Sequence, residues 1–157
     1  MTALLKADEV EHYLHRHIPI SAKMGVRVAA CDAAHVILRA PLAPNINHRA
    51  TVFGGSASAV AILAAWTQLH FTLRQAGIAE RIVIQRNQIE YLAPIAADFE
   101  AVCPALSPEA LSRLLKTFHR LGRARTEMTV ELRCADRVVA RFRGEYVAVR
   151  LTAGEKV

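Results

Sequence analysis

The stretch NINHRATVFGGSASAVAILAAWTQLHFTL, residues 45–73, decides the fold of this chain. It begins as a polar loop, passes through Gly54-Gly55, and continues without a charged side chain until Arg74. A helix that is apolar on nearly every side must be covered by other parts of the protein. We therefore predict a long central helix over residues 56–76 that a curved sheet surrounds.

The glycine pair lies where the polar loop meets this helix. Glycines just before a helix leave backbone N–H groups open at its N-terminus, which carries roughly half a positive charge from the aligned peptide dipoles. Such a helix end attracts anions and stabilises an oxyanion that forms during a reaction. The alternative is that Gly54 and Gly55 only permit a tight turn into the helix. Ser56, the next residue, is expected to cap it.

Pairs of strands flank the central helix on both sides in the sequence. Strands that follow one another directly favour an antiparallel sheet, whereas regular strand–helix alternation favours a parallel one. We predict a single α+β domain over residues 1–157. Its other elements are a helix within residues 1–20, strands at 25–30, 35–42, 81–92 and 98–103, a short helix at 107–121, and strands at 126–133 and 138–150.

Capping residues predict where the two outer helices begin and end. Asp8 is expected to cap the first helix, with Glu11 as its capping-box partner. Ser107 followed by Pro108 is typical of a helix start, and Gly122 is expected to end that helix.

The chain of 157 residues carries a formal net charge of +6, which indicates either general solubility or an anionic partner. Nucleic acid is disfavoured because few aromatic residues interleave with the cations. Three cysteines at positions 31, 103 and 134 fit neither a metal site nor a disulfide framework. Charged residues occur from Lys6 onward, where a signal peptide would be apolar, and polar residues interrupt the apolar stretch at 50–73. We therefore expect a cytoplasmic protein without a membrane association.

Two motifs carry a family resemblance. Asn47 is followed six positions later by Phe53-Gly54-Gly55, and Ile89-x-Tyr91-Leu92-x-Pro94 follows the helix. The first resembles the asparagine-to-HGG loop of acyl-CoA thioesterases of the phenylacetate-pathway type. Both together resemble the YiiD C-terminal family of thioesterase domains, over residues 24–149. The resemblance implies the hotdog fold, a curved antiparallel sheet around one long apolar helix, and an acyl thioester as ligand.

The chain departs from that pattern at two places. Phe53 stands where many relatives have the histidine of HGG, and Ile62 stands where those thioesterases place a catalytic acid on the central helix. The resemblance therefore supports the fold and the ligand class more strongly than a carboxylate mechanism.

The residues suggest thioester hydrolysis by activated water. The N–H groups of Gly55 and Ser56 are candidates to polarise the thioester carbonyl. Asn47 is a candidate to hold the carbonyl or orient water, or else to satisfy its own loop, and His48 is either a general base or a surface histidine. Further candidates are Phe53, Gly54 and Ser58 at the helix start, Asp98 and Glu90 as acids from a second subunit, and Arg86 and Asn87 on the half-polar strand.

Several positively charged residues lie on the predicted short helix at 107–121. Arg113, Lys116 and Arg120 share one helix face and could bind the phosphates of coenzyme A or a carrier-protein prosthetic group, or form an ordinary solvated face. We expect no separate cofactor and no metal, because coenzyme A would enter as part of the substrate. The resemblance implies a homodimer with a shared cleft, with a dimer of dimers left open. The alternatives to hydrolysis are a non-catalytic acyl-CoA sensor and a hotdog dehydratase.

Overall fold

The fold is built on one antiparallel sheet. The computed structural model describes residues 6–156 of the chain. Six strands lie in the order β1-β2-β4-β5-β6-β3, and every neighbouring pair is antiparallel, as predicted. The strands are β1 (Arg27–Cys31), β2 (His35–Ala40), β3 (Glu80–Tyr91), β4 (Phe99–Pro104), β5 (Arg123–Cys134) and β6 (Arg137–Arg150).

The central helix, α3 (Gly54–Gln75), lies against one face of this sheet. Its buried side chains include Val60, Leu69 and Leu73, which are fully enclosed in the core. The helix begins two residues before the predicted start at residue 56, and Phe53 occupies the N-cap position. The expectation that Ser56 caps the helix is therefore wrong, because Ser56 lies inside the first turn. No helix within residues 6–156 is long and apolar enough to cross a membrane.

The N-terminal segment forms two helices where the sequence predicted one. These are α1 (Ala7–His17) and α2 (Pro19–Lys23), because Pro19 ends the first helix and is well suited to begin another. The part of the predicted helix at residues 1–5 lies outside the described residues. The predicted capping by Asp8 and Glu11 is wrong: Glu9 accepts the Lys6 N–H at 3.3 Å, and Glu11 accepts the Val28 N–H at 2.9 Å.

An irregularity in β3 changes which side chains face α3. Its pairing with β6 shifts register between Ile84 and Arg86. Beyond this bulge, Asn87 lies opposite the buried Gly144, and Tyr91 lies opposite the buried Ala140. Directly paired residues share a sheet face, so the polar middle of β3 has one residue, Asn87, on the side of α3.

The short helix, α4 (Pro108–Leu121), connects β4 to β5. The Ser107 hydroxyl accepts the N–H of Ala110 at 3.1 Å, and Gly122 ends the helix with a left-handed φ of 71°. Both capping predictions for this helix are confirmed.

Replacing Ser107 with alanine is expected to lower the free energy of unfolding by about 1 kcal/mol, because the N–H of Ala110 loses its acceptor. Urea denaturation measures this change. The matched control is Ser112→Ala, which makes the same substitution at an exposed position inside α4. Because alanine is the better helix former, this control should be neutral or slightly stabilising. Equal losses in the two variants would contradict the capping role.

Candidate functional site

The N-terminus of α3 presents three backbone N–H groups without acceptors. Ala57 is the first helical residue whose N–H is bonded, to the Phe53 carbonyl at 3.1 Å. Among residues 6–156, no atom accepts a hydrogen bond from the N–H of Gly54, Gly55 or Ser56. No acidic side chain lies in this first turn, and Gly55 is exposed. The positive end of the helix dipole is therefore available to an anion.

Two aromatic side chains fix the position of this helix end. The Tyr91 hydroxyl donates to the Gly54 carbonyl at 2.6 Å and thereby ties β3 to α3. Partial burial raises the pKa of Tyr91, which keeps the hydroxyl a donor. The Phe53 N–H donates to the Asn45 carbonyl at 2.8 Å, and the Phe53 ring lies so close to Gly55 that a Cβ there would overlap it.

An exposed apolar surface surrounds the helix end. Ile46, Phe53, Tyr91 and Leu92 are 50%, 58%, 49% and 43% exposed, and we call these four residues the apolar rim. Tyr91 and Leu92 also line a groove of about 360 Å³ that continues to Ile95. Large apolar side chains that stay exposed together are typical of binding surfaces. The arrangement can hold an apolar group next to unpaired amide donors.

The Asn47 side chain forms its hydrogen bonds within its own loop. Its side-chain oxygen accepts the N–H groups of Arg49 at 2.8 Å and Thr51 at 3.2 Å, and its amide nitrogen donates to the Thr51 hydroxyl at 3.0 Å. This is the loop-closing alternative that the sequence left open. One amide hydrogen of Asn47 stays unused by these contacts.

His48 and Asp98 are not gathered at the helix end. His48 is exposed in the turn after Asn47, and no hydrogen bond within the described residues holds it. The Asp98 carboxylate accepts the Leu42 N–H at 2.8 Å, and its side chain lines a separate groove of about 820 Å³ with Arg27 and Arg39. This groove does not extend to the start of α3.

The predicted residues of β3 separate onto the two faces of the sheet. Arg86 forms an ion pair with Glu145 at 2.6 Å, and Glu90 lines a groove on the outer face together with Arg141. Asn87 lies on the α3 side. Ser58, in the second turn of α3, is half-buried and makes no hydrogen bond through its side chain within residues 6–156.

The predicted phosphate-binding cations lie at the other end of the molecule. Arg113, Lys116 and Arg120 are exposed on α4. The carbonyl of Gly122, just after α4, accepts the N–H of Arg150, which is paired with Glu80 at the start of β3. Glu80 and Tyr91 are about 36 Å apart along the strand. A ligand at Gly55 therefore does not lie beside the α4 of the same copy.

Tyr91 is the site residue that sequence reasoning missed. It belongs to the motif Ile89-x-Tyr91-Leu92-x-Pro94, which carries the family resemblance without indicating a role for the tyrosine. An aromatic residue at a strand end, three residues before Pro94, is the signal that could have identified it. The buried cysteine Cys103 offers no alternative nucleophile, because burial raises the pKa of its thiol to about 12.

The curved antiparallel sheet packed on one long helix is the hotdog fold, and comparison with known proteins agrees. The family model described as "Putative thioesterase (yiiD_Cterm)" matches residues 7–150. The chain belongs to this family. Membership supports thioester hydrolysis at the level of the family.

Solved structures of similar proteins extend over the whole chain. A protein of unknown function from Chlorobaculum tepidum is 28% identical with a TM-score of 0.88, and the match covers 96% of this chain and 100% of that one. A protein from Shewanella oneidensis described as a "putative thioesterase" is 26% identical with a TM-score of 0.81, and the match covers 91% of this chain and 96% of that one. A thioesterase from Haemophilus influenzae has the same fold at 11% identity, with a TM-score of 0.73 and coverage of 98% and 97%.

Proposed function

We propose that this protein hydrolyses an acyl thioester at the N-terminus of α3, with water as the nucleophile. The observation that carries the proposal is the set of three unpaired N–H groups at Gly54, Gly55 and Ser56 beside the apolar rim. Family membership supports the reaction class.

The reaction needs stabilisation of the negative charge on the carbonyl oxygen. Water adds to the carbonyl carbon and loses one proton, so that the carbonyl oxygen becomes an oxyanion. The C–S bond then breaks, the departing sulfur takes up a proton, and the products are a carboxylic acid and a thiol. The N–H groups of Gly55 and Ser56 donate to the oxyanion. Removal of one such donor typically costs about 3 kcal/mol of barrier.

We propose acyl-CoA as the substrate class, so that coenzyme A enters with the substrate and no separate cofactor is needed. The apolar rim provides a surface for the acyl chain, and Asn87 is the polar side chain from the middle of β3 on the same sheet face as Tyr91. In one copy this surface is open to solvent. A second copy would enclose it.

A homodimer formed along β3 would supply that cover. β3 has 12 residues and lies at one edge of the sheet, whereas β1 at the other edge has 5 residues, a bulge and contact with α1. A long open strand is a template for pairing with another chain. On α3, Ala59, Ile62 and Trp66 form a half-buried stripe that a second copy could cover.

This pairing would also bring the basic face of α4, which carries Arg113, Lys116 and Arg120, to the site of the other copy. Strands of two copies that pair antiparallel place the Tyr91 end of one beside the Glu80 end of the other. The cations Arg113, Lys116 and Arg120 would then reach coenzyme A phosphates from the second copy, and an acid absent from α3 could come from that copy too.

A panel of acyl-CoA esters of different chain lengths tests the activity. Release of free thiol, measured with a chromogenic disulfide, is expected for at least one chain length. Mass spectrometry of the mixture detects the alternative, in which an acyl-CoA binds and is recovered intact. That alternative is motivated by the absence of Asp and Glu from α3. Intact recovery of every ester would overturn the hydrolase proposal and favour a binding protein.

Asn47 variants distinguish loop closure from substrate contact. Asn47→Asp keeps an oxygen that accepts the N–H groups of Arg49 and Thr51, so we expect it to retain activity within about threefold. Asn47→Ala removes both of these bonds and the bond to the Thr51 hydroxyl, and is expected to lower kcat/KM about tenfold. Steady-state kinetics with the best ester of the panel measures both. If Asn47→Asp loses as much activity as Asn47→Ala, the amide of Asn47 does more than accept the two loop N–H groups.

A further inference from the structure

The net positive charge of this protein is concentrated at one end of the sheet. Between Glu109 and Glu127, a segment that forms most of α4 and the start of β5, the sequence has no acid and five cations. Arg150, the last residue of β6, adds a sixth, because its guanidinium lies 5.6 Å from the ring of Phe118 in α4. We call these six residues the basic end: Arg113, Lys116, Arg120, Arg123, Arg125 and Arg150.

The remainder of the chain is electrically balanced. The sequence has 20 Lys and Arg residues against 14 Asp and Glu residues, and its formal net charge is +6. Without the basic end, 14 cations face 14 acids. The whole net charge is therefore located in one region, and such a concentration of one sign attracts a partner of the opposite sign.

The cations of the basic end are not neutralised within one copy. All six are exposed, and among residues 6–156 none of them forms an ion pair with a carboxylate. The first acids reached along β5 and β6 are Glu127 and Glu145, which pair with Arg143 and Arg86. The positive potential of this surface therefore remains available to another molecule.

The side chains of the basic end suit a protein partner. Five of the six are arginine, the cation that is enriched at protein interfaces, where lysine is depleted. Leu121, between Arg120 and Arg123, is 57% exposed. A phosphate group would leave this leucine in water, whereas a protein surface can cover it. Nucleic acid is disfavoured, because Phe118, the one aromatic residue between Glu109 and Glu127, is buried and cannot stack on a base.

We infer that the basic end binds an acidic carrier protein, which holds the acyl group as a thioester on its own thiol arm. The inference rests on the proposed thioester hydrolysis and extends the substrates from acyl-CoA to acyl thioesters of a protein. In the homodimer proposed above, the basic end of one copy lies beside the Gly55 site of the other, where the thiol arm would deliver the acyl group. Opposite charges on the two proteins accelerate their association.

Fluorescence anisotropy of a labelled acidic acyl carrier protein measures this binding without any reaction. We expect a Kd below about 100 μM at low salt. Binding should be about tenfold weaker at roughly 0.5 M salt, because salt screens the attraction between exposed charges. A Kd above about 1 mM at low salt, or a Kd that salt leaves unchanged, would overturn the inference. So would tighter binding to double-stranded DNA or to phosphatidylglycerol vesicles under the same conditions.

Two variants locate the bound carrier protein. Arg123→Gln removes one exposed cation and Leu121→Ser removes the exposed apolar side chain, and each is expected to weaken the binding about threefold. The matched control is Arg137→Gln, which removes an exposed cation at the first residue of β6, at the other end of that strand from Arg150. It should change the Kd less than about twofold. Equal effects of Arg123→Gln and Arg137→Gln would contradict the assignment.

Kinetics with two octanoyl thioesters separate this inference from the proposed hydrolysis. The ester of N-acetylcysteamine carries no charge, so Arg123→Gln should change its kcat/KM less than about twofold. With the octanoyl carrier protein, kcat/KM should fall about threefold in the same variant. Unchanged kcat/KM for both esters would contradict the binding of a carrier protein at the basic end. Failure to hydrolyse either ester, with carrier binding intact, would contradict the hydrolase proposal alone.

Discussion

Replacement of Gly55 with alanine is expected to reduce kcat/KM for thioester hydrolysis about a hundredfold while the protein stays folded. The new Cβ would overlap the Phe53 ring, so the ring or the first turn of α3 must shift. A displaced N–H group no longer meets the oxyanion, and loss of one such donor typically costs a hundredfold or more in kcat. Folding should be intact because Gly55 has ordinary helical φ, where alanine is the better helix former.

The double variant Phe53→Ala/Gly55→Ala tests whether overlap with the Phe53 ring causes the loss of activity. Without the Phe53 ring, the methyl group introduced at position 55 has room, so the double variant should return to the activity of Phe53→Ala alone. Gly54→Ala is the neighbouring control: its Cβ would lie 3.3 Å from the Tyr91 hydroxyl, a contact that small shifts relieve. Its effect should be below tenfold. An unchanged kcat/KM in Gly55→Ala would contradict the proposal that this helix end stabilises the oxyanion.

Apart from the second N-terminal helix, α2, the order of the helices and strands was predictable from the sequence, because each element has a local physical signal. The uncharged run after Gly55 predicted a covered helix, and Ser107 and Gly122 predicted both ends of α4. The gap between the predicted strands at 126–133 and 138–150 indicated a turn, and Ala135 and Asp136 within it adopt positive φ, 49° and 61°. These signals arise from residues near one another in the chain, which is why they are visible before the structure.

Features that depend on distant partners were not predictable in this way. The bulge after Ile84 arises from the pairing of β3 with β6, and it decides that Asn87, and not Arg86 or Glu90, faces α3. The Tyr91 hydroxyl donates to the Gly54 carbonyl at the start of α3 from 37 residues away. Residue type alone does not reveal either relation.

The sequence indicated the backbone groups of the candidate site, but it did not indicate which side chains lie beside them. The glycine pair indicated an amide-rich helix end, and the unpaired N–H groups lie there. Asp98 and the cations of α4 were grouped with the site by chemical type, yet within one copy Asp98 contacts the backbone of Leu42 and α4 lies at the far end of the sheet. Which of them meets a substrate depends on the arrangement of a second copy.

The buried pair of His70 and Glu80, whose Nδ1 and Oε1 atoms lie 2.8 Å apart, leads to the largest expected effect on stability. His70→Leu leaves the carboxylate of Glu80 buried without its partner, and Glu80→Leu leaves the imidazole likewise. Each single variant is expected to lose about 3–5 kcal/mol in the free energy of unfolding. The double variant His70→Leu/Glu80→Leu removes both polar groups from an apolar and aromatic environment, so its loss should be below about 1 kcal/mol.

Urea denaturation of the unmodified protein, the two single variants and the double variant gives the interaction energy between His70 and Glu80. All samples need the same protein concentration, because dimerisation would otherwise change the apparent stability. The exposed ion pair of Arg143 and Glu127 on the outer sheet face is the matched comparison, and its coupling should be below about 1 kcal/mol. If the losses of His70→Leu and Glu80→Leu simply add in the double variant, the two side chains are not energetically coupled. Strong coupling would instead mean that the pair holds the end of α3 to the first residue of β3, independently of the N–H groups at Gly55.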